Sequence, residues 1–310
     1  MADPVPRDFL DTAVLARLAR LPFCPRAPVV CNVAGAHKSP HRGSSVEFAE
    51  YRKYVKGDDI RHIDWRVYAR SDRFYMKEFE ADTNLRCYLV VDCSRSMLFA
   101  GAGPTKLDLA RRLAGTLAHM LVDQGDAVGL LCFNDRILHD IPPRRTPSHL
   151  RHIFDTLGSV KAQGKTDVVG VLHALAEKIS RRAVVLVFSD FFTPIDPLMG
   201  CFKHIQFRKH DLAVFHMLDP EELSFTFDRP VRFTDMESSY GIITDPALMR
   251  ERYLEQIDSY LAAIRSGCAE FNVDYQRTLV SQDYEQLLAS FLLQRIRRKK
   301  GSSSGAARAG

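Results

Sequence analysis

Cysteine pairs and long apolar runs are missing from this sequence. The seven cysteines are scattered and odd in number, with no C-x-x-C pair, which argues against a disulfide framework and against a zinc ribbon. Proline and charge interrupt the amino terminus, and no stretch approaches the roughly 18 apolar residues of a membrane span. We therefore expect a cytoplasmic protein without a membrane span.

Signatures of several enzyme classes are also absent. The glycines and the lysine of the segment Gly101 to Asp108 lack the G-x-x-x-x-G-K-[ST] spacing of a P-loop, and neither G-x-S-x-G nor H-E-x-x-H occurs. Any ATP hydrolysis linked to this chain must therefore come from a partner. We expect the chain itself not to be an enzyme.

Acidic residues are missing from the carboxyl-terminal stretch. Six of the basic residues behind the net charge of +5 lie in residues 293–310, so the rest of the chain is close to neutral. Such a run, ending in GSSSGAARAG, predicts a solvated, disordered tail, and a weak contact with nucleic acid, membrane or an acidic partner is the alternative. We expect no specific nucleic-acid binding.

The chain has the composition of a globular protein, with 310 residues of which 46% are hydrophobic and 26% charged. From Cys87 onward, buried strands alternate with amphipathic helices, and Arg136 to Ile141 predicts an antiparallel hairpin strand. This alternation predicts an α/β fold with a doubly wound, mostly parallel sheet and one antiparallel edge strand.

A smaller segment precedes that sheet. Phe9 to Leu21 has the spacing of an amphipathic helix, Glu47 to Val55 predicts a short helix, and Ile60 to Ala69 with Phe74 to Phe79 predicts a β-hairpin. The charged stretch GDDIRHIDWR, which overlaps the first predicted strand, contains Trp65. Its function stays open between a catalytic acid/base pair, a structural ion-pair network and a contact with a partner. The predicted parts are an N-terminal segment (1–85), the main domain (86–292) and the tail (293–310).

A polar cluster follows the strand at Tyr88 to Met97, which has the sequence YLVVDCSRSM. Asp92, Ser94 and Ser96 come directly after four apolar residues, at the strand end where open α/β sheets bind ligands. One carboxylate and two hydroxyls form an all-oxygen set, which suits Mg²⁺ or Mn²⁺ better than zinc. Turn and cap residues are the alternative interpretation of this short pattern.

Two later stretches add to that cluster. Thr166 lies in the loop Gly164 to Asp167 before an apolar-periodic helix, and Asp190 ends a second buried strand that has the sequence AVVLVFSD. A threonine and a second strand-end aspartate are the residues that would complete an oxygen shell around one ion.

The ordered set Asp92, Ser94, Ser96, Thr166 and Asp190 resembles the metal-ion-dependent adhesion site of von Willebrand factor A domains. The segment Phe48 to Asn84 resembles the signature of the domain-of-unknown-function family 58, whose members carry such a domain and are associated with MoxR-type AAA+ ATPases. One departure is that Phe191 and Phe192 follow Asp190, where many adhesion-type domains have glycine.

The resemblance implies a non-enzymatic, metal-dependent protein-binding module. It would act as adaptor or co-chaperone of a MoxR-type AAA+ ATPase on a client protein, by engaging an acidic side chain through the bound Mg²⁺ or Mn²⁺. A scaffold with a vestigial metal site is one alternative. A Mg²⁺-dependent phosphohydrolase is the other, although such sites need a second aspartate where this chain has Ser94. The sequence leaves the oligomeric state open.

Overall fold

The computed structural model describes residues 8–26, 46–53, 67–68, 75–81, 85–101, 103–227, 231–234, 236, 241–244 and 246–306. The chain divides into two compact units, one formed by residues 1–27 together with 85–310 and the other by residues 28–84. The strands are β1 (Val46–Lys53), β2 (Tyr75–Ala81), β3 (Arg86–Asp92), β4 (Ala127–Phe133), β5 (Ile137–Arg144), β6 (Val184–Ser189), β7 (Asp211–Leu218), β8 (Val231–Thr234), β9 (Gly241–Thr244) and β10 (Asp274–Leu279). The α-helices are α1 (Thr12–Leu18), α2 (Lys106–Asp123), α3 (Pro147–Ser159), α4 (Val168–Lys178), α5 (Ile195–Phe207), α6 (Pro220–Ser224), α7 (Pro246–Glu270) and α8 (Tyr284–Ala306).

The larger unit is built on a six-stranded sheet with the order β10-β7-β6-β3-β4-β5. The pairings between β10 and β7, β7 and β6, β6 and β3, and β3 and β4 are parallel, and β5 pairs antiparallel with β4 at the edge. The predicted α/β fold, with a mostly parallel sheet and one antiparallel edge strand, is therefore confirmed.

The central strands are apolar because helices cover both faces of a parallel sheet, so that neither face meets water. Every residue of β6 and β7 is buried, and in β3 only the first residue, Arg86, is exposed. One face of the sheet packs on α4 and α5, whose Leu172, Leu175, Phe202 and Ile205 join the core. The strand ends are held rigidly as a result.

Helix starts fix the loops at the carboxyl ends of these strands. The Thr105 side chain accepts a hydrogen bond from the backbone of Asp108, whose carboxylate accepts from the Thr105 backbone, and this reciprocal cap begins α2. Asp167 caps α4 through a hydrogen bond from the Gly170 amide. The loops before α2 and α4 therefore end at defined positions.

The chain reverses its direction of progress across the sheet between β3 and β6. It runs outward from β3 to β4 and β5, and then returns to place β6 on the other side of β3. In open α/β sheets this topological switch point opens a crevice at the carboxyl ends of the two strands. Asp92 ends β3, and Asp190 directly follows β6.

The smaller unit contains an antiparallel pair in which β1 lies against β2. The helix predicted over Glu47 to Val55 is therefore wrong over Val46–Lys53, where Val46, Phe48 and Tyr51 are residue types that favour strands. The strand predicted at Phe74 to Phe79 corresponds to β2, which pairs with β1. Most of Ile60 to Ala69 lies outside the described residues, and so does the stretch GDDIRHIDWR around Trp65.

The amino-terminal helix belongs to the larger unit rather than to the smaller one. Val14 and Leu18 are buried, and the Arg17 guanidinium donates two hydrogen bonds of 2.6 Å to the Glu285 carboxylate at the start of α8. The sequence instead groups this helix with the segment 1–85, because helical spacing predicts a packing face but not the surface that it covers.

The carboxyl terminus also differs from its prediction, since α8 continues past residue 292 to Ala306. Arg295 is almost fully buried, and its guanidinium makes two 3.0 Å hydrogen bonds to Asp211 and lies 2.9 Å from the Asp274 carboxylate. Two buried aspartates thus bind a residue of the basic run that the sequence assigns to a disordered tail. Residues 307–310 lie outside the described part of the chain.

Candidate metal centre

Asp92 is the centre of the polar cluster at the switch point, and its side chain is fully buried. One carboxylate oxygen, Oδ1, accepts a 2.8 Å hydrogen bond from the Ser94 amide. The other, Oδ2, accepts hydrogen bonds from the Thr166 hydroxyl at 3.0 Å and the Ser189 hydroxyl at 2.7 Å. Groups from three separate segments therefore meet at this carboxylate.

The two serines lie side by side after β3. A 3₁₀ turn at Arg95–Leu98 follows Ser94, and the Ser94 and Ser96 hydroxyl oxygens are 3.0 Å apart. Ser94 is buried, whereas Ser96 is partly exposed. The turn thus directs both hydroxyls to one place and leaves Ser96 on the solvent side.

The loop that carries Thr166 is fixed to the first loop by backbone hydrogen bonds. The Arg95 amide donates to the Gly164 carbonyl at 3.0 Å, and the Gln163 amide donates to the Cys93 carbonyl at 2.8 Å. Gly164 has a positive φ of 76°, and a Cβ atom there would lie 2.9 Å from the Asn134 side chain. Glycine at 164 therefore allows the Thr166 loop to lie close to Asn134, just beyond the end of β4.

Asp190 is fully buried and belongs to a second charged group at the same edge. Its Oδ2 atom lies 2.8 Å from the Lys106 ammonium, which also lies 2.8 Å from Glu222 Oε1. Lys106 is the first residue of α2, and Glu222 lies in α6, just beyond the end of β7. Asp190 Oδ1 is buried without a hydrogen-bond partner among the described residues.

The backbone after Asp190 has the conformation that glycine usually supplies. Phe191 has a φ of 52°, in the left-handed region, yet its ring is buried. The Ser189 hydroxyl accepts a 3.0 Å hydrogen bond from the Phe191 amide, and the Tyr260 hydroxyl donates to the Phe191 carbonyl. The departure from glycine at this position is thus accommodated by burial and by hydrogen bonds on both sides.

Burial and charge shift the pKa values of the two principal groups. Loss of solvent and the nearby negative charge of Asp190 raise the pKa of Asp92 to about 6, although hydrogen bonds from Ser94 and Ser189 act in the opposite direction. Burial favours a lower pKa for Lys106, but the charges of Asp190 and Glu222 outweigh it and raise the pKa. Lys106 is therefore a charged ammonium in the interior.

The five predicted residues offer only carboxylate and hydroxyl oxygens to an ion. Asp92, Ser94, Ser96 and Thr166 are linked by hydrogen bonds, and the charge of Asp190 acts on Asp92. Within the described ranges, no group of three or more His, Cys, Asp or Glu side chains is suited to a metal. An ion there would need the hydroxyls, and an all-oxygen set with an unpartnered carboxylate oxygen fits Mg²⁺ or Mn²⁺.

Three residues of this cluster were not among the predicted ones. Ser189 precedes Asp190 directly, so its position at the strand end was a usable signal. Glu222 follows β7 in the sequence DPEE, which is again an acidic strand end. Lys106 offered no comparable signal, because a lysine at a helix start is ordinarily exposed.

Apolar side chains are exposed beside the cluster. Leu98 is 42% exposed and Phe192 is 41% exposed. The Lys106 ammonium lies 5.3 Å from the centroid of the Phe192 ring, which stacks on Tyr260 at 6.2 Å. The polar cluster is therefore bordered by apolar surface.

No helix within the described ranges combines the length and the apolar character that crossing a bilayer would require. The six described cysteines, which exclude Cys31, are buried and have free thiols. The larger unit is thus held together by packing and buried ion pairs.

Comparison with known proteins gives relatives and structural neighbours. Uncharacterized proteins of Mycobacterium bovis and Mycobacterium tuberculosis are each 29% identical to the chain over 248 residues, which cover 78% of this chain and 77% of the relative. The crystal structure of the conserved hypothetical protein BatB from Bacteroides thetaiotaomicron superposes with a TM-score of 0.47 and 13% identity, covering 69% of this chain and 100% of that chain. The VWA domain of SpRpn10 gives a TM-score of 0.40 and 11% identity, covering 66% of this chain and 94% of that chain.

The family assignment comes from a family model described as "Protein of unknown function DUF58". This model matches residues 50–260, which is more than half of the chain. The match includes most of the signature segment noted from Phe48 to Asn84, together with all five predicted site residues. The chain therefore belongs to the DUF58 family.

Proposed function

We propose that this chain is a divalent-metal-dependent protein-binding module, in which Asp92, Ser94, Ser96, Thr166 and Asp190 hold Mg²⁺ or Mn²⁺. The supporting observation is that the Ser94 amide and the Thr166 and Ser189 hydroxyls, from three separate segments, all donate to the buried Asp92 carboxylate, and the Ser96 hydroxyl lies 3.0 Å from that of Ser94. The convergence desolvates several polar groups at once, and their mutual hydrogen bonds offset that cost.

The roles of the residues follow from their charges. Ser94, Ser96 and Thr166 are neutral donors, so Asp92 and Asp190 provide the negative charge of the site. When bound, the ion supplies a strongly electrophilic position that an acidic side chain from another protein can fill. Ser96 and Thr166 are the partly exposed members of the set, and we propose that the partner's acidic side chain approaches from their side.

The proposed partner protein comes from the family resemblance, not from a contact in the structure. We infer a MoxR-type AAA+ ATPase, with the chain as its non-enzymatic adaptor or co-chaperone on a client protein in the cytoplasm. Exposed Leu98 and Phe192 border the site, so a partner segment with an acidic residue next to apolar ones would fit both features.

A pull-down tests this proposal with the full chain as bait. We expect recovery of the ATPase or client from the native lysate in Mg²⁺, and loss of that recovery in EDTA or with Asp92→Asn. Asp258→Asn, an exposed aspartate on α7, serves as the matched control and retains the partner. Equal recovery in Mg²⁺ and in EDTA contradicts metal-dependent binding.

One observation favours a second candidate, a scaffold whose metal site is vestigial. The Lys106 ammonium already neutralises Asp190 in the cluster, so the fold does not need an ion to balance that charge. A ligand that binds only the folded state raises the melting temperature. A melting temperature that is the same with and without millimolar Mg²⁺ would favour the scaffold.

A further inference from the structure

Lys106 is the most unusual charged residue at this edge of the sheet, because its side chain is only 1% exposed. Its ammonium contacts two carboxylates at 2.8 Å, Asp190 Oδ2 and Glu222 Oε1. It also lies 5.7 Å from the centroid of the Phe99 ring and 5.3 Å from that of Phe192. The cation is therefore enclosed by two acids and two aromatic rings.

The position of Lys106 is unfavourable for a cation on two grounds. Removing an ammonium from water is costly unless it is paired. Lys106 is also the first residue of the 18-residue helix α2, and the amino-terminal end of a helix repels positive charge. The two carboxylates offset both penalties, so the lysine is tied to the acids that it neutralises.

Those acids include a proposed metal ligand. The Oδ2 atom of Asp190 accepts a hydrogen bond from Lys106, whereas its Oδ1 atom is buried and has no hydrogen-bond partner among the described residues. An ion bound beside Asp190 would share this carboxylate with Lys106 and experience the repulsion of its charge.

We propose that Lys106 is an internal counter-cation that competes with a divalent ion for Asp190 and lowers the metal affinity of the site. This inference rests on the proposed function, since it concerns the same five ligands. Lys106 holds Asp190 in place without metal, and an arriving ion must compete with the ion pair. The site therefore binds its ion weakly and exchanges it readily.

The direction and size of the effect follow from Coulomb's law. A unit charge several ångströms from a divalent ion, at an effective dielectric constant of about 20, changes the binding constant by well over tenfold. Replacing Lys106 by methionine keeps most of the length of the side chain and removes this charge. We expect Lys106→Met to bind Mn²⁺ at least about tenfold more tightly than the unaltered chain.

The measurement is a calorimetric titration of the purified full chain with MnCl₂ alone. Lys203→Met, an exposed lysine on α5, is the matched control and keeps the affinity of the unaltered chain. If Lys106→Met binds Mn²⁺ equally or more weakly, Lys106 does not act as a competitor, and the inference is overturned.

Lys106→Met leaves Asp190 and Glu222 buried without a cation and could therefore misfold. For this reason the same comparison is repeated in a chain that carries Glu222→Gln. In Glu222→Gln alone, Asp190 is the one remaining carboxylate that pairs with Lys106, and we expect Mn²⁺ to bind more weakly than to the unaltered chain. The double variant Lys106→Met with Glu222→Gln should bind Mn²⁺ at least about tenfold more tightly than Glu222→Gln alone. Equal affinity of these two variants overturns the inference.

Asp92→Asn separates this failure from failure of the proposed function. If the unaltered chain binds Mn²⁺ and Asp92→Asn does not, the proposed metal site is supported. The Mn²⁺ affinities of the Lys106 variants then test whether Lys106 competes with the ion. If neither the unaltered chain nor the lysine variants bind Mn²⁺ saturably, both the metal site and its counter-cation are refuted.

Discussion

The Ser189 hydroxyl donates a 2.7 Å hydrogen bond to Oδ2 of Asp92, joining the ends of two neighbouring strands at the switch point. The same hydroxyl accepts a 3.0 Å hydrogen bond from the Phe191 amide, just beyond Asp190. Ser189 therefore fixes the Asp92 carboxylate and the backbone on the far side of Asp190 together. Ser189 thus helps to position Asp92 directly and Asp190 through the backbone that follows it.

Ser189→Ala tests this role through stability. The substitution removes a hydroxyl donor from a buried carboxylate and leaves the buried Phe191 amide without its acceptor. We expect a loss of about 1–3 kcal/mol in the free energy of unfolding, measured by urea denaturation. Ser148→Ala, at an exposed hydroxyl, is the control and should change stability by less than about 0.5 kcal/mol. Losses of equal size in the two variants would contradict this role.

Thr166→Val tests the second loop of the proposed metal site with little change in side-chain volume. The hydroxyl that lies 3.0 Å from Asp92 is lost while the methyl packing is kept. We expect Mn²⁺ binding by the full chain to weaken at least about tenfold, as loss of one ligand from a hard-cation site should do. Thr226→Val, at an exposed residue, should leave the affinity unchanged. An unaltered affinity in Thr166→Val would remove Thr166 from the ligand set.

Asp126 lies at the end of β3 opposite to the proposed metal site, and its carboxyl group should make the stability of the fold depend on pH. Burial raises the pKa of its carboxyl to about 7, despite a 3.1 Å hydrogen bond from the Leu85 amide. The folded state therefore holds this proton more tightly than the unfolded state, so stability falls as pH rises from about 4 to about 7.

Asp126→Asn should remove that dependence, because an amide keeps the hydrogen bond and does not ionise. We expect the variant to gain on the order of 2 kcal/mol over the unaltered chain at pH 8, a value reduced for partial exposure, and little at pH 4. Denaturation at both pH values measures the difference. Asp123→Asn, at an exposed residue, is the control, and equal pH profiles of the unaltered chain and Asp126→Asn would contradict the assignment.

Arg295→Met tests whether the basic carboxyl-terminal run belongs to the folded domain. Removing the guanidinium leaves Asp211 and Asp274 buried with their principal cation lost. We expect a loss of about 3–5 kcal/mol in the free energy of unfolding, measured in guanidinium chloride. Arg297→Met, on the exposed side of α8, should have little effect. A small loss for Arg295→Met would indicate that this end of α8 is dispensable.

The fold of the main domain was predictable because buried strands and amphipathic helices leave strong periodic patterns. The runs ending at Asp92 and Asp190 were long, apolar and bounded by polar loops, so their strands and their common edge followed from the sequence. Polar side chains at parallel strand ends meet, which accounts for Asp92 and Asp190, whereas Thr166 lies in the loop between α3 and α4 and was predicted from its place in the ordered set.

The parts that escaped prediction depend on tertiary contacts that carry no periodicity. Arg295 belongs to a run that looks solvated, and only its partners Asp211 and Asp274, distant along the chain, make it a core residue. Lys106 is similar, because its burial comes from Asp190 and Glu222 on other elements. The strand β1 was mistaken for a helix although several of its residues favour strands, and its pairing with β2 is a contact that the local pattern does not show.

The hydrogen bonds at the switch point also determine when the proposed metal site can form during synthesis. Asp92 and Ser189 are separated by 97 positions, and β4 and β5 are made between them. Contacts of such separation require closure of a long loop and so form after local structure. A nascent chain in which β6 has not yet joined β3 would lack the Ser189 hydrogen bond to Asp92, so the proposed binding role would begin only once the central sheet is complete.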